Sequence, residues 1–192
     1  MRTLKQLFSM MIFALGLTGC ATTLHTIPTD FTLGDKEESV VIGRVTIVMG
    51  TLMGLKPIGF FERLGTSQLT VENEATGEDS VIVCDRNGPD SNFYVALPSG
   101  QYRFSKWERG NLTSPLNGRF GLGKGQVIYI GTLKWSRRQD MGSFLAGAFQ
   151  GPGGGFIGDW QVEDEFEDAV KSFRERYPQM NQEIVKSLLR LE

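Results

Sequence analysis

The chain reads as a mainly β protein: an antiparallel β-sandwich of about seven strands with a C-terminal helical pair. Three observations predict it. Apolar and polar residues alternate along several short runs between residues 39 and 135. Turn-forming residues separate most of those runs, and no helical periodicity lies between them. After residue 160 the spacing changes, with Phe166, Val170, Phe173 and Tyr177 falling on one face of a helix.

The strands follow in order. Val41, Val45, Ile47 and Met49 share one parity, while Val40, Ile42 and Val48 occupy the other. Apolar residues on both parities predict a strand covered on both faces. Leu69 and Val71 flank Thr70, and Asn73 to Gly77 supplies a turn. Val81 to Cys84 is a short apolar run. Phe93, Val95 and Leu97 alternate up to Pro98-Ser99-Gly100, where Pro98 fixes its φ and Gly100 permits a positive one. Tyr102 and Phe104 return to the core on one parity. Gly121-x-Gly123-x-Gly125 reads as a turn, because a phosphate cradle opens a helix and this segment opens a strand. That strand carries Val127, Tyr129, Gly131 and Leu133 on one side and Ile128 and Ile130 on the other. Parallel neighbours need a crossover of about a dozen residues or more, usually helical. None is visible between these runs, so antiparallel sheets are expected.

The segment Phe93 to Phe104 resembles the hairpin of transthyretin-like and carboxypeptidase-regulatory-like sandwich modules. Those carry an apolar strand, a Pro/Gly turn, then Gly-x-Tyr and an apolar residue. The resemblance spans about a dozen residues. It implies a fold class and transfers no catalytic residue.

Residues 136–160 read as a glycine-rich loop around Gly151-Pro152-Gly153-Gly154-Gly155. Phe144, Leu145, Ala146, Ala148 and Phe149 precede it. They pack on the body in one reading, and stay exposed for a partner or for lipid in the other. Residues 161–192 read as the helices. Asp164 with Glu167 resembles a capping box. Acids gather at the start and Lys171, Arg174 and Arg176 at the end, which complements the helix dipole. Pro178 stops the first helix. Asn181 can cap a second, striped by Ile184, Val185, Leu188, Leu189 and Leu191. The pair either covers the sandwich or offers its stripe to a partner's groove.

Ahead of the body the chain differs in kind. Arg2 and Lys5 precede an apolar run from Leu7 to Leu17, broken only by Ser9 and Gly16. That run is too short for a spanning helix of about 20 residues. A basic start, a short apolar core and the small-residue exit Leu17-Thr18-Gly19-Cys20 describe a secretory signal peptide over residues 1–19. The exit resembles the lipobox of bacterial lipoproteins. The resemblance implies a diacylglycerol on the Cys20 thiol, cleavage before Cys20 and, often, acylation of the new amino group. One acyl chain is a marginal anchor at about 0.8 kcal/mol per buried CH₂, whereas two or three hold. In that family an aspartate after the cysteine often signals inner-membrane retention, so with Ala21 the resemblance implies the outer membrane, with the body facing the periplasm. Residues 20–38 contain Pro28 and few periodic apolar residues, and read as a lipidated tether to a body over 39–135.

The remaining chemistry is sparse. Without Arg2 and Lys5, 18 basic residues face 22 acidic ones, a net charge of −4. That leaves no footprint for nucleic acid. With Cys20 lipidated, Cys84 has no partner in the chain. It is a buried inert thiol, or else a reactive or intermolecular one in an oxidising compartment. The single histidine, His25, lies in the tether, where no serine could rely on it as a base. One histidine and one spare cysteine do not make a zinc site. Glu72 with Glu74, and Asp85 with Asp90, have the spacing of solvated loop acids rather than of a glycosidase pair. No catalytic residue, metal or cofactor is expected. Trp107 and Arg109 close one strand, and Trp135, Arg137 and Arg138 another. A tryptophan beside a cation can contact a glycan or a lipid headgroup; the same residues can also cap the core. The expected function is a non-enzymatic binding or assembly module, tethered to the membrane through Cys20, with an envelope protein as partner. The alternative is a glycan- or lipid-binding module using Trp107, Arg109 and Trp135.

Overall fold

The computed structural model describes residues 21–34, 37–48, 65–85, 90–110, 112–137 and 158–192. Among them run β1 (Thr22–Leu24), β2 (Glu38–Val48), β3 (Gln68–Asn73), β4 (Glu78–Val83), β5 (Asp90–Pro98) and β6 (Gly100–Arg109). These are followed by β7 (Leu112–Leu122), β8 (Val127–Arg137), β9 (Gly158–Glu163), α1 (Phe166–Arg176), β10 (Ile184–Lys186) and β11 (Arg190–Leu191). The protein is mainly β. One sheet has the order β1-β4-β3-β6-β7-β11, and the other β10-β8-β2-β5, with β9 also paired to β8.

The sheets are mixed, which corrects the expected antiparallel arrangement. β1 runs parallel to β4, β2 to β8, and β10 to β8. The crossover rule constrains strands that follow one another closely. These partners are far apart in the chain, so the intervening elements serve as the connection. The β8–β10 pair even encloses α1.

The two sheets share a core. Val41, Val45 and Ile47 of β2 and Phe93, Val95 and Leu97 of β5 meet Leu69, Val71, Phe104 and Trp107 of the opposite sheet. The second sheet is also buried on its outer face. There Val40, Ile42, Tyr94, Val127 and Tyr129 pack under Phe173 of α1 and Tyr177 just beyond it, with Ile27 and Met180. β2 is therefore apolar on both parities because it is covered on both faces, as its sequence predicts. Val48 is the exception and is exposed.

Backbone irregularities set which residues point inward. Leu133 joins Ile128 and Ile130 in the inner core instead of facing away from them. The pairing of β2 with β8 slips between Ile42 and Arg44, beside Gly131, whose φ is 107°. A bulge of this kind inserts one residue and reverses the parity beyond it. Pro98–Gly100 is a corner rather than a hairpin turn, since β5 and β6 lie in different sheets. Gly100 does not use the left-handed region there. The corner is held by the Tyr102 hydroxyl, which donates to the Pro98 carbonyl at 2.9 Å.

β7 is a strand that turn-forming residues conceal. Its sequence, LTSPLNGRFGL, alternates buried and exposed along nearly its whole length. Pro115 is tolerated because it sits where β6 slips between Phe104 and Lys106, away from the residues that β11 pairs.

The C-terminus holds one helix, not two. α1 buries Phe173, and Tyr177 follows it into the same core. The capping box is not formed: Glu165 is the N-cap and makes no side-chain cap bond, while Asp164 Oδ1 accepts from the Phe166 N–H at 3.3 Å. The expected second helix is replaced by β10 and β11. An isolated helix of that length is marginal in water, whereas the edge of β8 offers ready partners. Ser187 N–H donates to the Tyr129 carbonyl at 2.9 Å and Leu189 N–H to that of Ile130 at 2.8 Å. Leu189 then enters the inner core.

The stretch read as a tether is also built in. β1 pairs with β4, Ile27 N–H donates to the Tyr94 carbonyl at 2.8 Å, and the Tyr177 hydroxyl donates to the Ile27 carbonyl at 2.8 Å. Phe31 and Leu33 pack against the outer core. Cys20, the signal segment, Met49, Arg138 and the apolar cluster 144–149 lie outside the described residues.

Candidate functional site

Strand ends sort onto two ends of the molecule. Three short turns lie at one, the tight-turn end, between β3 and β4, β5 and β6, and β7 and β8, although the β6–β7 turn is at the other. At the other, β2, β6 and β8 finish while β3, β7 and β9 begin, and here the three tryptophans meet. Trp107 and Trp135 come from facing sheets, because each lies inward on its strand. Their rings stack with centroids 5.6 Å apart, and Trp160 meets Trp107 edge-on at 5.5 Å. Trp160 pairs across the ladder with Trp135, and its indole N–H donates to Ser114 Oγ at 3.1 Å.

Trp107 and Trp135 have no exposed surface, and Arg109 is almost as completely buried. The Arg109 guanidinium donates through Nε to the Gly65 carbonyl at 3.2 Å. The ligand-contact reading of these three residues required an open ring face. The structure instead closes the end of the core with them. Packing decides it: a large aromatic pair removes several hundred Å² of apolar surface from water only when shut inside.

The candidate acids are each held by a cation or a hydroxyl, not by one another. Glu72 pairs with Arg103 at 2.6 Å and Glu74 with Arg119 at 2.8 Å. Asp85 accepts from Thr26 Oγ1 at 2.9 Å and from Arg176, and Asp90 from Thr46 Oγ1 at 2.9 Å. His25 is exposed just past β1, and among the described residues no group of three His, Cys, Asp or Glu side chains could hold a metal ion. Cys84 is buried and forms no disulfide. Burial, then the neighbouring Asp85, push its thiol far above the ordinary range, with Arg109 partly opposing. It stays protonated and unreactive at neutral pH.

Sequence reasoning missed a polar junction on the outer face of the second sheet. Beyond the bulge, that face leaves the shelter of α1. Arg44 Nη1 binds Glu165 at 3.1 Å and its Nε donates to Asn92 Oδ1 at 2.9 Å. Thr132 Oγ1 donates to the same Glu165 carboxylate at 2.7 Å, and Lys134 binds Glu163 at 2.6 Å. The signal was present, because Arg44 interrupts an otherwise apolar strand. The junction fixes the start of α1 on β2, β5 and β8. A surface hollow of about 310 Å³ lies beside it, lined by Asp164 to Asp168 and Lys186. Another of about 380 Å³ lies at the tryptophan end, lined by Gly65, Thr66, Gln68, Glu108 and Gly110. Neither brings a histidine or a cysteine to a carboxylate.

No protein-family model matches the chain, and no curated protein matches it. A solved structure that resembles it is a leucine-rich repeat protein from Bacteroides thetaiotaomicron VPI-5482. The two are 13% identical with a TM-score of 0.35, over 50% of this chain and 14% of that one. A likeness that weak bears on neither fold nor function.

Proposed function

We propose that this chain is a membrane-anchored envelope lipoprotein, held by acyl groups on Cys20 to the periplasmic face of the outer membrane, where it acts as a non-enzymatic binding or assembly module. The observation that carries the reading is Leu17-Thr18-Gly19-Cys20 placed directly behind a basic start and a short apolar core. The two stacked sheets suit a β-sandwich body of the transthyretin-like kind. Among the described residues no helix is long and apolar enough to cross a membrane.

The test is the intact mass of protein purified from its own membranes. The expected species starts at residue 20 and carries two or three acyl chains. A chain that retains residues 1–19, or one without added acyl mass, overturns the reading. Cys20→Ser should move the protein to the soluble fraction. The assembly role is tested by crosslinking in intact cells followed by mass spectrometry, which should recover the same envelope protein repeatedly.

A further inference from the structure

We propose that the acyl chains on Cys20 hold this protein on a short, stiff link with its tight-turn end toward the bilayer and its tryptophan end away, an orientation that rests on reading Cys20 as the lipidated residue. The register of β1 carries it. Thr22 lies opposite Ser80 and Leu24 opposite Ile82, in parallel. The chain therefore enters β1 from the end at which β4 begins, beside the turn from Asn73 to Glu78. Consecutive Cα atoms are about 3.8 Å apart, so Cys20 sits within about 8 Å of Thr22.

The chain beyond β1 adds no slack. Thr26 Oγ1 donates to Asp85 at 2.9 Å, and Ile27 is bonded to both Tyr94 and Tyr177. A free leash over residues 20–38 would average about 25 Å and let the body turn in any direction. A link two residues long, ending in a paired strand, does not. The opposite end stands well clear of the lipid. β6 runs from Gly100 at the turn end to Arg109 at the tryptophan end, ten residues, or about 30 Å at roughly 3.3 Å per residue. The turn end carries exposed Glu37, Glu78 and Asp79 against Lys124. Among the described residues there, these acids outnumber the base and offer little to anionic headgroups; in this proposal the acyl chains supply the hold and the strand supplies the direction.

The experiment uses the acylated full-length protein in vesicles of phosphatidylethanolamine and phosphatidylglycerol with a headgroup-linked acceptor dye. A donor is placed on Ser99→Cys at the turn end or on Thr113→Cys at the tryptophan end, both exposed positions. Buried Cys84 can stay in place. Energy transfer from position 99 is expected to exceed that from position 113 several-fold. A Gly/Ser insert between Ala21 and Thr22 should erase the difference by restoring a leash. Equal transfer without the insert, or stronger transfer from position 113, overturns the orientation while leaving the anchor intact. If Cys20→Ser protein binds the same vesicles as firmly, the lipid reading fails, and the orientation with it.

Discussion

The two sheets use the same strand chemistry and meet different fates. The first turns one face to water. On that face Arg103 pairs with Glu72, and Arg119 with Glu74 and Glu192. The second turns neither long face fully to water: one side meets the first sheet and the other lies under α1 and the segment around Ile27. The difference follows from what occupies alternate positions. β7 alternates strictly, whereas β2 and β8 are apolar on both parities until Arg44 and Thr132. A second layer forms where both parities are apolar and stops where the outer parity becomes polar.

That contrast can be broken experimentally, starting with the largest effect. Trp107→Ala removes the ring that joins both sheets and should cost about 3–5 kcal/mol in urea unfolding. A loss under 1 kcal/mol would show that the inner core is not the common support. Phe173→Ala strikes only the outer layer. It should cost about 3 kcal/mol, and amide exchange should show α1 opening before β2 and β8. Simultaneous opening would mean that the second layer is inseparable from the stack.

Gly118→Ala tests how the C-terminal tail closes the first sheet. A Cβ at Gly118 would lie 2.6 Å from Leu189 Cδ2. The expected cost is about 1–3 kcal/mol. Combining it with Leu189→Ala should give less than the sum of the two losses, since the pair is in contact. Strict additivity would place the tail elsewhere.

The ion pair between Asp164 and Lys186 gives a smaller, pH-dependent effect. The hydrogen bond from Lys186 is the main cause holding the Asp164 carboxyl below its ordinary range, and the same bond raises Lys186. A depressed carboxylate contributes stability above its unfolded pKa and loses it as pH falls through the folded value. The raised lysine contributes below its unfolded pKa and loses that as pH rises through the folded one. Lys186→Met should therefore lower Tm slightly at neutral pH, and the gap should close as pH falls through the depressed folded value of Asp164. A gap unchanged at low pH would assign the loss to packing over Phe166 instead, where Lys186 Nζ lies 5.3 Å from the ring centroid. Smallest of all is Arg103→Ala, on the solvated face, where screening by water should leave the urea midpoint almost unmoved.

Much of the fold was legible before any coordinates. The two-faced burial of β2, the turn after Asn73 and the face of α1 all follow from local spacing. β7 was hidden because Pro115, Asn117, Gly118 and Gly121 are turn residues by type, and only pairing with β6 makes them strand. The second helix failed for the converse reason: Ile184 and Leu189 fit a helical stripe, yet each enters a different core. At the candidate site, Trp107, Arg109 and Trp135 were legible at strand ends, whereas Trp160, which completes the cluster, was not. The choice between contacting a ligand and capping the core was left open, because a strand's sequence does not say what closes its end; burial decides for the cap.

By itself the sequence determined that this chain alternates like a β protein, that one strand needs cover on both sides, that a helix with a single apolar face follows, and that a cysteine stands behind an export-like segment. Each of these is a property of neighbouring residues, readable within one or two turns or pleats. Tertiary structure alone decided that the sheets are mixed, that parts of the presumed tether and of the expected second helix pair as strands, and that Trp107 and Trp135 are sealed inside. Those outcomes depend on residues dozens to well over a hundred positions apart competing for the same edges and the same dry space. Local periodicity carries no record of which distant partner wins.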